Sequence, residues 1–341
     1  MIKAIESSDF SDNLRYFEKH FQSLEGARIA ISGASGFVGN WIAELLFQIA
    51  VEFQINFEVV MLTRDEAAFR KLMSETKPKS FTIVETDISK EKISLGSFSH
   101  AIHAATPTVS SSKISGEATR ASLEGARNFM SSLANSSKPP VFINLSSGAV
   151  YGFNPLGAGA LKMSAPILMP SLVETFSDEY AAAKIETEKL VDAETIKGKI
   201  VGCNPRLFAF FGPLLPIDQK YAIGNFMQSA INKNKIILNS SGKSERSYLH
   251  ASDLASQIIY LLSNPIVGPS HIGSTISMPL IKWAEYISEM FNCGSVATGN
   301  IDEWNSFYVP ESDYRIPDLD TSNSRRDLLF KKWFEWLTSR S

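Results

Sequence analysis

The sequence predicts an α/β fold, a doubly wound parallel sheet joined to a smaller C-terminal lobe, and three observations carry that reading. Short apolar runs of strand length alternate with longer helical stretches between residues 26 and 204. That is the pattern of βα units whose parallel strands are covered on both faces. A glycine-rich turn, Gly33-Ala34-Ser35-Gly36-Phe37-Val38-Gly39, follows the first run at once. After Pro205 the alternation gives way to short elements punctuated by Gly212-Pro213, Pro216, Gly224 and Gly242, which places a second, smaller unit there.

Taken in order, residues 1–25 read as a helical extension. The apolar run 28–32 has the length of a buried parallel strand. Next come a helix over 37–52, a strand over 57–62, a helix over 65–74, strands over 81–85 and 100–104, and a helix over 116–134. A strand over 140–145, a helix over 178–193 and a strand over 199–203 complete the series. Gly152 to Met169, rich in Gly, Ala and Pro without a clean period, reads as a loop at the open end of the sheet. Lys331 to Leu337 reads as a short terminal helix whose Trp333, Phe334, Trp336 and Leu337 pack rather than bind. The dinucleotide-binding Rossmann domain is assigned residues 26–204 and 244–268. The substrate-binding lobe is assigned 205–243 and 269–341.

Composition removes several classes of function. With 44% hydrophobic residues among 341, the chain can bury a full core, so disorder is not expected. A net charge of -3 without any Lys/Arg block lacks the electrostatic footprint of a nucleic-acid binder and points to a small-molecule partner. The two cysteines, Cys203 and Cys293, form no CxxC pattern, so neither a disulfide framework nor a zinc site is expected, and a reducing cytoplasm fits. His20, His100, His103, His250 and His271 are too dispersed for a metal motif, and no metal is expected. The N-terminal residues carry charges throughout and lack the apolar run of a signal peptide. The stretch Trp41 to Leu62 is interrupted by Glu44, Glu52, Gln54, Asn56 and Glu58, so no membrane association is expected.

The turn at 33–39 sits between a strand and a helix, and that position gives it meaning. Glycine permits a positive φ and lets the backbone approach a pyrophosphate, while the helix N-terminus supplies N–H groups and a positive dipole end. Gly33, Ser35, Gly36, Phe37 and Val38 are therefore predicted to hold a dinucleotide. The acidic residue expected at the end of the second strand is replaced by Thr63-Arg64-Asp65. Arg64 suits a ribose 2′-phosphate, which favours NADP over NAD, although Asp65 can bond a free hydroxyl. Asp87 and Ile88, after the third strand, offer a carboxylate and an apolar edge to adenine.

Of nine tyrosines, Tyr180 alone has a lysine four residues later, and i, i+4 spacing puts both on one helix face. A phenol with a pKa of about 10 is a poor acid or base at neutral pH, and the Lys184 ammonium is expected to lower it. Ser147, at the carboxyl end of a parallel strand where such folds bind ligands, is placed to hold a carbonyl oxygen.

These residues resemble the extended short-chain dehydrogenase/reductases, particularly the nucleotide-sugar epimerases, dehydratases and reductases. The likeness runs through GASGFVG, the HAA at 103–105, SSGAVYG at 146–152, Tyr180 with Lys184, Pro205-Arg206-Leu207-Phe208, Gly212-Pro213, RSYLHASDLA at 246–255, Ile272-Gly273-Ser274 and Arg315-Ile316-Pro317-Asp318. The resemblance implies that Tyr180 is the acid/base, that Lys184 bonds the nicotinamide ribose, and that Ser147 orients the substrate oxygen. It also implies cofactor contacts from Ala104, Ala105 and Thr106, a diphosphate clamp at Arg246 with Asn225 nearby, and a homodimer through helices 116–134 and 178–193.

Departures narrow the reaction. Where dehydratases of the group carry Asp-Glu after the Ser/Thr, this chain has Gly148-Ala149, so dehydration is not expected. Ser122, Ala209 and His271 stand where the family has asparagines, which alters the water relay and part of the diphosphate site. The leading expectation is NADPH-dependent reduction of a nucleoside-diphosphate 4-keto-6-deoxyhexose, such as dTDP-4-keto-6-deoxyglucose, for surface polysaccharide synthesis. An NAD-dependent 4-epimerase needs the same three residues, and a non-catalytic dinucleotide sensor is the alternative from another class.

Overall fold

Parallel strands ordered by alternating crossovers make the centre of the molecule. The computed structural model describes residues 5–72, 80–94, 96–106, 116–133, 138–168, 176–217, 221–302, 305–311 and 322–339. The Arg315–Asp318 motif lies outside them. In chain order the first elements are α1 (Ser11–Phe21), β1 (Arg28–Ser32), α2 (Phe37–Glu52), β2 (Glu58–Thr63), α3 (Glu66–Leu72), β3 (Phe81–Glu85), β4 (His100–His103) and α4 (Glu117–Ser132). They continue as β5 (Val141–Asn144), β6 (Ser146–Ser147), α5 (Phe176–Ile196), β7 (Val201–Leu207), β8 (Phe210–Phe211), α6 (Ala222–Ile231), β9 (Ile236–Ser240), β10 (Glu245–Ser247) and β11 (Leu249–His250). The last are α7 (Ala251–Ser263), β12 (Gly268–Ile272), β13 (Ser277–Pro279), α8 (Leu280–Phe291), β14 (Val296–Ile301), β15 (Phe307–Tyr308) and α9 (Asn323–Thr338).

The main sheet runs β12-β7-β5-β4-β1-β2-β3, with β6 beside β7, and its pairings are parallel. This is the doubly wound α/β order, as expected. The switch point falls between β1 and β4, where successive crossovers turn from one side of the sheet to the other. Helix α2 is buried nearly all round, with Trp41, Ile42, Leu45, Leu46 and Ile49 each fully covered, because the sheet lies under one face and α7 over another.

A second core, with Phe226, Met227, Trp283, Ile287, Phe330 and Trp333, belongs to the C-terminal lobe. Two boundaries differ from expectation. The sheet keeps the chain as far as Ile272, because β12 pairs with β7 from Gly268 to Ile272. The terminal helix is longer than 331–337, since the Ser322 hydroxyl caps it by accepting from Arg325 N, and Arg325 then pairs with buried Asp253 at 2.6 Å. The N-terminal extension also docks rather than standing apart: Asn13 Nδ2 donates to Asp253 Oδ1 at 3.1 Å, and Phe10 and Leu14 enter the main core.

Candidate active site

Backbone, rather than side chains, shapes the turn after β1. Gly33 has φ +70°, and a Cβ there would lie 2.6 Å from Ala105 N, so the turn and the extension of β4 touch directly. At Gly39 a Cβ would lie 2.2 Å from the Gly33 carbonyl oxygen, so α2 can settle on the turn only as glycine. Beyond this turn lies a cleft of about 320 Å³.

Gly33, Ser35, Gly36, Arg64, Asp87, Ile88, Ala104, Ala105 and Thr106, all singled out from sequence, line that cleft. Leu62, Thr63, Thr86, Ser89, Ala121 and Gly125 line it as well. The first three of these precede Arg64 and Asp87 at strand ends, and the last two are small residues at i, i+4 on α4, signals that the sequence carried. Phe37 and Val38 differ: Phe37 stacks on Phe210 with centroids 5.4 Å apart, and both side chains pack against the core. What they lend the cleft is their place in the first turn of α2, where helix N–H groups lack intrahelical partners.

The end of the cleft at Arg64 and Asp87 has a clear polarity. Asp65 Oδ1 accepts from Ala68 N at 2.8 Å and so caps α3, while Arg64 faces the cleft. Asp87 accepts from Ser89 N and from Ser89 Oγ at 2.6 Å, which holds its carboxyl below the usual carboxylate range. A guanidinium facing the cleft beside a fixed carboxylate, next to a turn that a Cβ would block, fits a dinucleotide.

At the other end Lys184 is buried, and its Nζ donates to Thr106 Oγ1 and to the Leu145 carbonyl, each at 2.6 Å. It stands 5.7 Å from the centre of the Tyr180 ring. The expected lowering of the Tyr180 pKa is not what this structure shows. Burial pushes the phenol up to about 12, opposed by the nearby Ser147 hydroxyl, and burial pulls Lys184 down to about 8. Removal from water disfavours charge on both groups, and the ammonium spends its bonds on Thr106 and Leu145 rather than on the phenol.

Ser147 ends β6, where its Oγ accepts from Ala149 N at 3.1 Å. Tyr308, a residue that sequence reading did not single out, reaches the same corner: a Cβ on Gly148 would lie 2.8 Å from its Oη. Beneath it lies a buried polar network. Ser146 Oγ donates to Glu188 Oε1 at 2.5 Å, Arg206 grips Glu188 through Nε and Nη2 at 3.0 and 2.8 Å, and Arg206 Nη1 donates to Tyr151 Oη at 2.8 Å. Tyr151 in turn meets His271 Nε2 at 2.6 Å, so His271 is spent inside the protein. His103 Nδ1 pairs with Ser32 Oγ at 2.7 Å, and burial, helped by the charge on Lys184, drives its pKa down to about 3; a neutral strand-end imidazole results.

The predicted diphosphate residues sit on the lobe. Arg246 on β10 donates to the carbonyls of Glu245 and Ser306 at 2.7 and 3.0 Å and to Ser306 Oγ at 2.9 Å, so its guanidinium is braced from within. Asn225 lies half-buried near the start of α6. Among the described residues no group of three or more His, Cys, Asp or Glu is placed to hold a metal ion, and no helix is long and apolar enough to cross a membrane.

Comparisons with known proteins agree with this geometry. UDP-glucuronic acid decarboxylase 1 of Arabidopsis thaliana is 29% identical over 87 residues, which is 26% of this chain and 20% of that protein. The chain therefore matches only about a fifth of that relative's length. Vestitone reductase of Medicago sativa is 24% identical over 314 residues, covering 86% of this chain and 89% of the relative. Among solved structures, a UDP-N-acetylglucosamine 4-epimerase from Methanobrevibacter ruminantium in complex with UDP-N-acetylmuramic acid superposes with a TM-score of 0.78 at 17% identity, over 93% of this chain and all of that one. Residues 29–273 match the NAD dependent epimerase/dehydratase family, and the chain belongs to that family.

Proposed function

We propose that the protein uses NADPH to reduce the keto group of a nucleoside-diphosphate 4-keto-6-deoxyhexose, such as dTDP-4-keto-6-deoxyglucose, in surface polysaccharide synthesis. The observation that carries this reading is the division of labour after β2: Asp65 is turned away to cap α3, and Arg64 is left facing the cleft. A 2′-phosphate meets a guanidinium there, whereas a free 2′-hydroxyl loses its usual carboxylate. Tyr180 supports the same direction, because a phenol pushed up to about 12 is fully protonated at neutral pH and so poised to donate. The relative aligned along most of the chain is by name a reductase.

A bound nicotinamide supplies hydride to a carbonyl carbon. The chain does the rest. Ser147 holds the carbonyl oxygen, Tyr180 delivers its proton there as negative charge develops, and Lys184 with Thr106 stands where the nicotinamide ribose would be held. Arg246 and Asn225 would receive the diphosphate, and α4 with α5 would join two subunits.

An NAD-dependent nucleotide-sugar 4-epimerase is the second reading, favoured by the family description and served by the same trio. A non-catalytic sensor has no use for a proton donor. Oxidation of NADPH and NADH against a panel of nucleoside-diphosphate keto-sugars separates these readings. The reductase consumes NADPH in proportion to product, and Arg64→Ala raises the KM for NADPH about 10- to 100-fold while leaving NADH nearly unchanged, the range expected for one charge-assisted contact. Tightly held NAD with no net NADPH consumption would establish the epimerase instead.

A further inference from the structure

Helix α5 carries a polar face that runs on past Tyr180 and Lys184. Tyr180, Lys184, Glu188 and Asp192 follow one another at i, i+4 spacing and share that face. The sheet opposes it with polar side chains of its own. Ser146, Arg206 and His271 stand side by side on β6, β7 and β12. Asn144 and Asn204 come two residues earlier along the chain, on the same side of the pleat. Each helix turn has its own bond to the strands. Lys184 Nζ donates to the Leu145 carbonyl at 2.6 Å. One turn on, Glu188 Oε1 accepts from Ser146 Oγ at 2.5 Å. A further turn on, Asp192 Oδ1 accepts from Asn204 Nδ2, and Asn204 Oδ1 accepts from Asn144 Nδ2, both at 2.9 Å.

A serine at a strand end ordinarily satisfies a nearby backbone group, whereas Ser146 spends its hydroxyl on a carboxylate of the helix. That carboxylate is held still. Arg206 Nε and Nη2 donate to its two oxygens at 3.0 and 2.8 Å, and Arg206 Nη1 is braced against Tyr151 Oη at 2.8 Å. Gripped at both oxygens by a planar fork, the carboxylate has no freedom to turn, so the Ser146 bond has one direction. The Glu188 and Arg206 side chains are each less than a tenth exposed, and a buried ion pair is commonly no more stabilising than apolar packing. What this one supplies is a fixed direction.

Resting on the reading that Ser147 and Tyr180 handle the reacting carbonyl, we infer that Ser146 and Glu188 are positioning residues whose bond pins β6 to α5 and so sets where Ser147 stands relative to Tyr180. Leu145 and Ser146 immediately precede Ser147, and Lys184 and Glu188 occupy the turns that follow Tyr180. The Asp192 bonds lie one turn farther from the reacting atoms and supply an internal comparison.

Ser146→Ala removes the hydroxyl and leaves the pair of Glu188 and Arg206 in place. It lowers kcat about tenfold with KM within about twofold, the size of one lost hydrogen bond to a charged group. Asp192→Ala breaks the next bond along the helix; it lowers the melting temperature and leaves kcat within about twofold. Unchanged kcat in Ser146→Ala, or an equal loss in Asp192→Ala, would mean packing alone and overturn the inference. A second readout needs no substrate. Ala149 N donates to Ser147 Oγ at 3.1 Å, so deuterium exchange at that amide reports how firmly Ser147 is held. In the full-length protein this exchange quickens about tenfold in Ser146→Ala and stays within about twofold of wild type in Asp192→Ala. Equal rates in wild type and Ser146→Ala would likewise overturn the inference. If the wild-type protein turns over no keto-sugar, the proposed function fails while the exchange rates still decide the pinning.

Discussion

The cleft at the glycine turn is made of backbone from adjoining segments, whereas the corner around Ser147 and Tyr180 is made of side chains that β6, α5, β7 and β15 bring from distant parts of the chain. At the cleft, Gly33 and Gly39 let a turn, a helix and the extension of β4 approach within distances that any Cβ would forbid. At the corner, Ser147, Tyr180, Lys184 and Tyr308 arrive from three separate elements and gather over a base of Ser146, Glu188, Arg206 and Tyr151. Each part is vulnerable in its own way: the cleft fails sterically and as a unit, the corner fails one function at a time.

The sharpest break of that contrast is Tyr180→Phe. Loss of the proton donor should lower turnover by about 10²- to 10⁴-fold while dinucleotide affinity, measured by fluorescence or calorimetry, stays within about threefold. Turnover that survives would remove Tyr180 from the chemistry and leave the corner without a proton source. Gly39→Ala should do the reverse. Its Cβ meets the Gly33 carbonyl at 2.2 Å, and since backbone cannot yield as a side chain can, a stability loss of about 3 kcal/mol and loss of dinucleotide binding are expected in a denaturant titration. An unaffected Gly39→Ala protein would contradict the backbone account of the cleft.

A smaller effect comes from Lys184. Burial lowers its pKa from the ordinary 10.5 to about 8, so between these values the unfolded chain binds more protons than the folded one, and stability rises with pH. Between roughly pH 8 and 9.5 the Lys184 contribution should be a gain of about 1.5 kcal/mol, opposed in wild type and variant alike by buried Cys203, whose thiol is pushed up from 9.0 to about 12. Stability curves of Lys184→Met should lack that increment. If wild type and variant rise alike over this window, the lysine is not held in the buried state described.

The same contrast explains what could be read from sequence. GASGFVG is contiguous, and α2 spans Phe37–Glu52 as predicted, because strand, turn and helix there are set by neighbours along the chain. Tyr180 and Lys184 were legible for a related reason, one helix turn joining them. Tyr308 gave no local sign, since β15 is two residues long and its position depends on β10 and on the loop after Ser147. The direction of the Tyr180 shift was also beyond spacing alone. An i, i+4 lysine suggests a lowered phenol, but the depth at which both groups lie and the diversion of Nζ to Thr106 and Leu145 are tertiary facts. Asp65 was ambiguous until α3 showed which way its carboxylate turned.

The proposed reaction is net hydride transfer from a phosphorylated dinucleotide to a sugar carbonyl beside Tyr180, and isotope transfer decides whether it occurs. NADPH carrying deuterium at the transferable C4 position should be consumed one for one with dTDP-4-keto-6-deoxyglucose and should leave one deuterium on C4 of the reduced sugar. Product that forms without net NADPH consumption and carries no deuterium would contradict it.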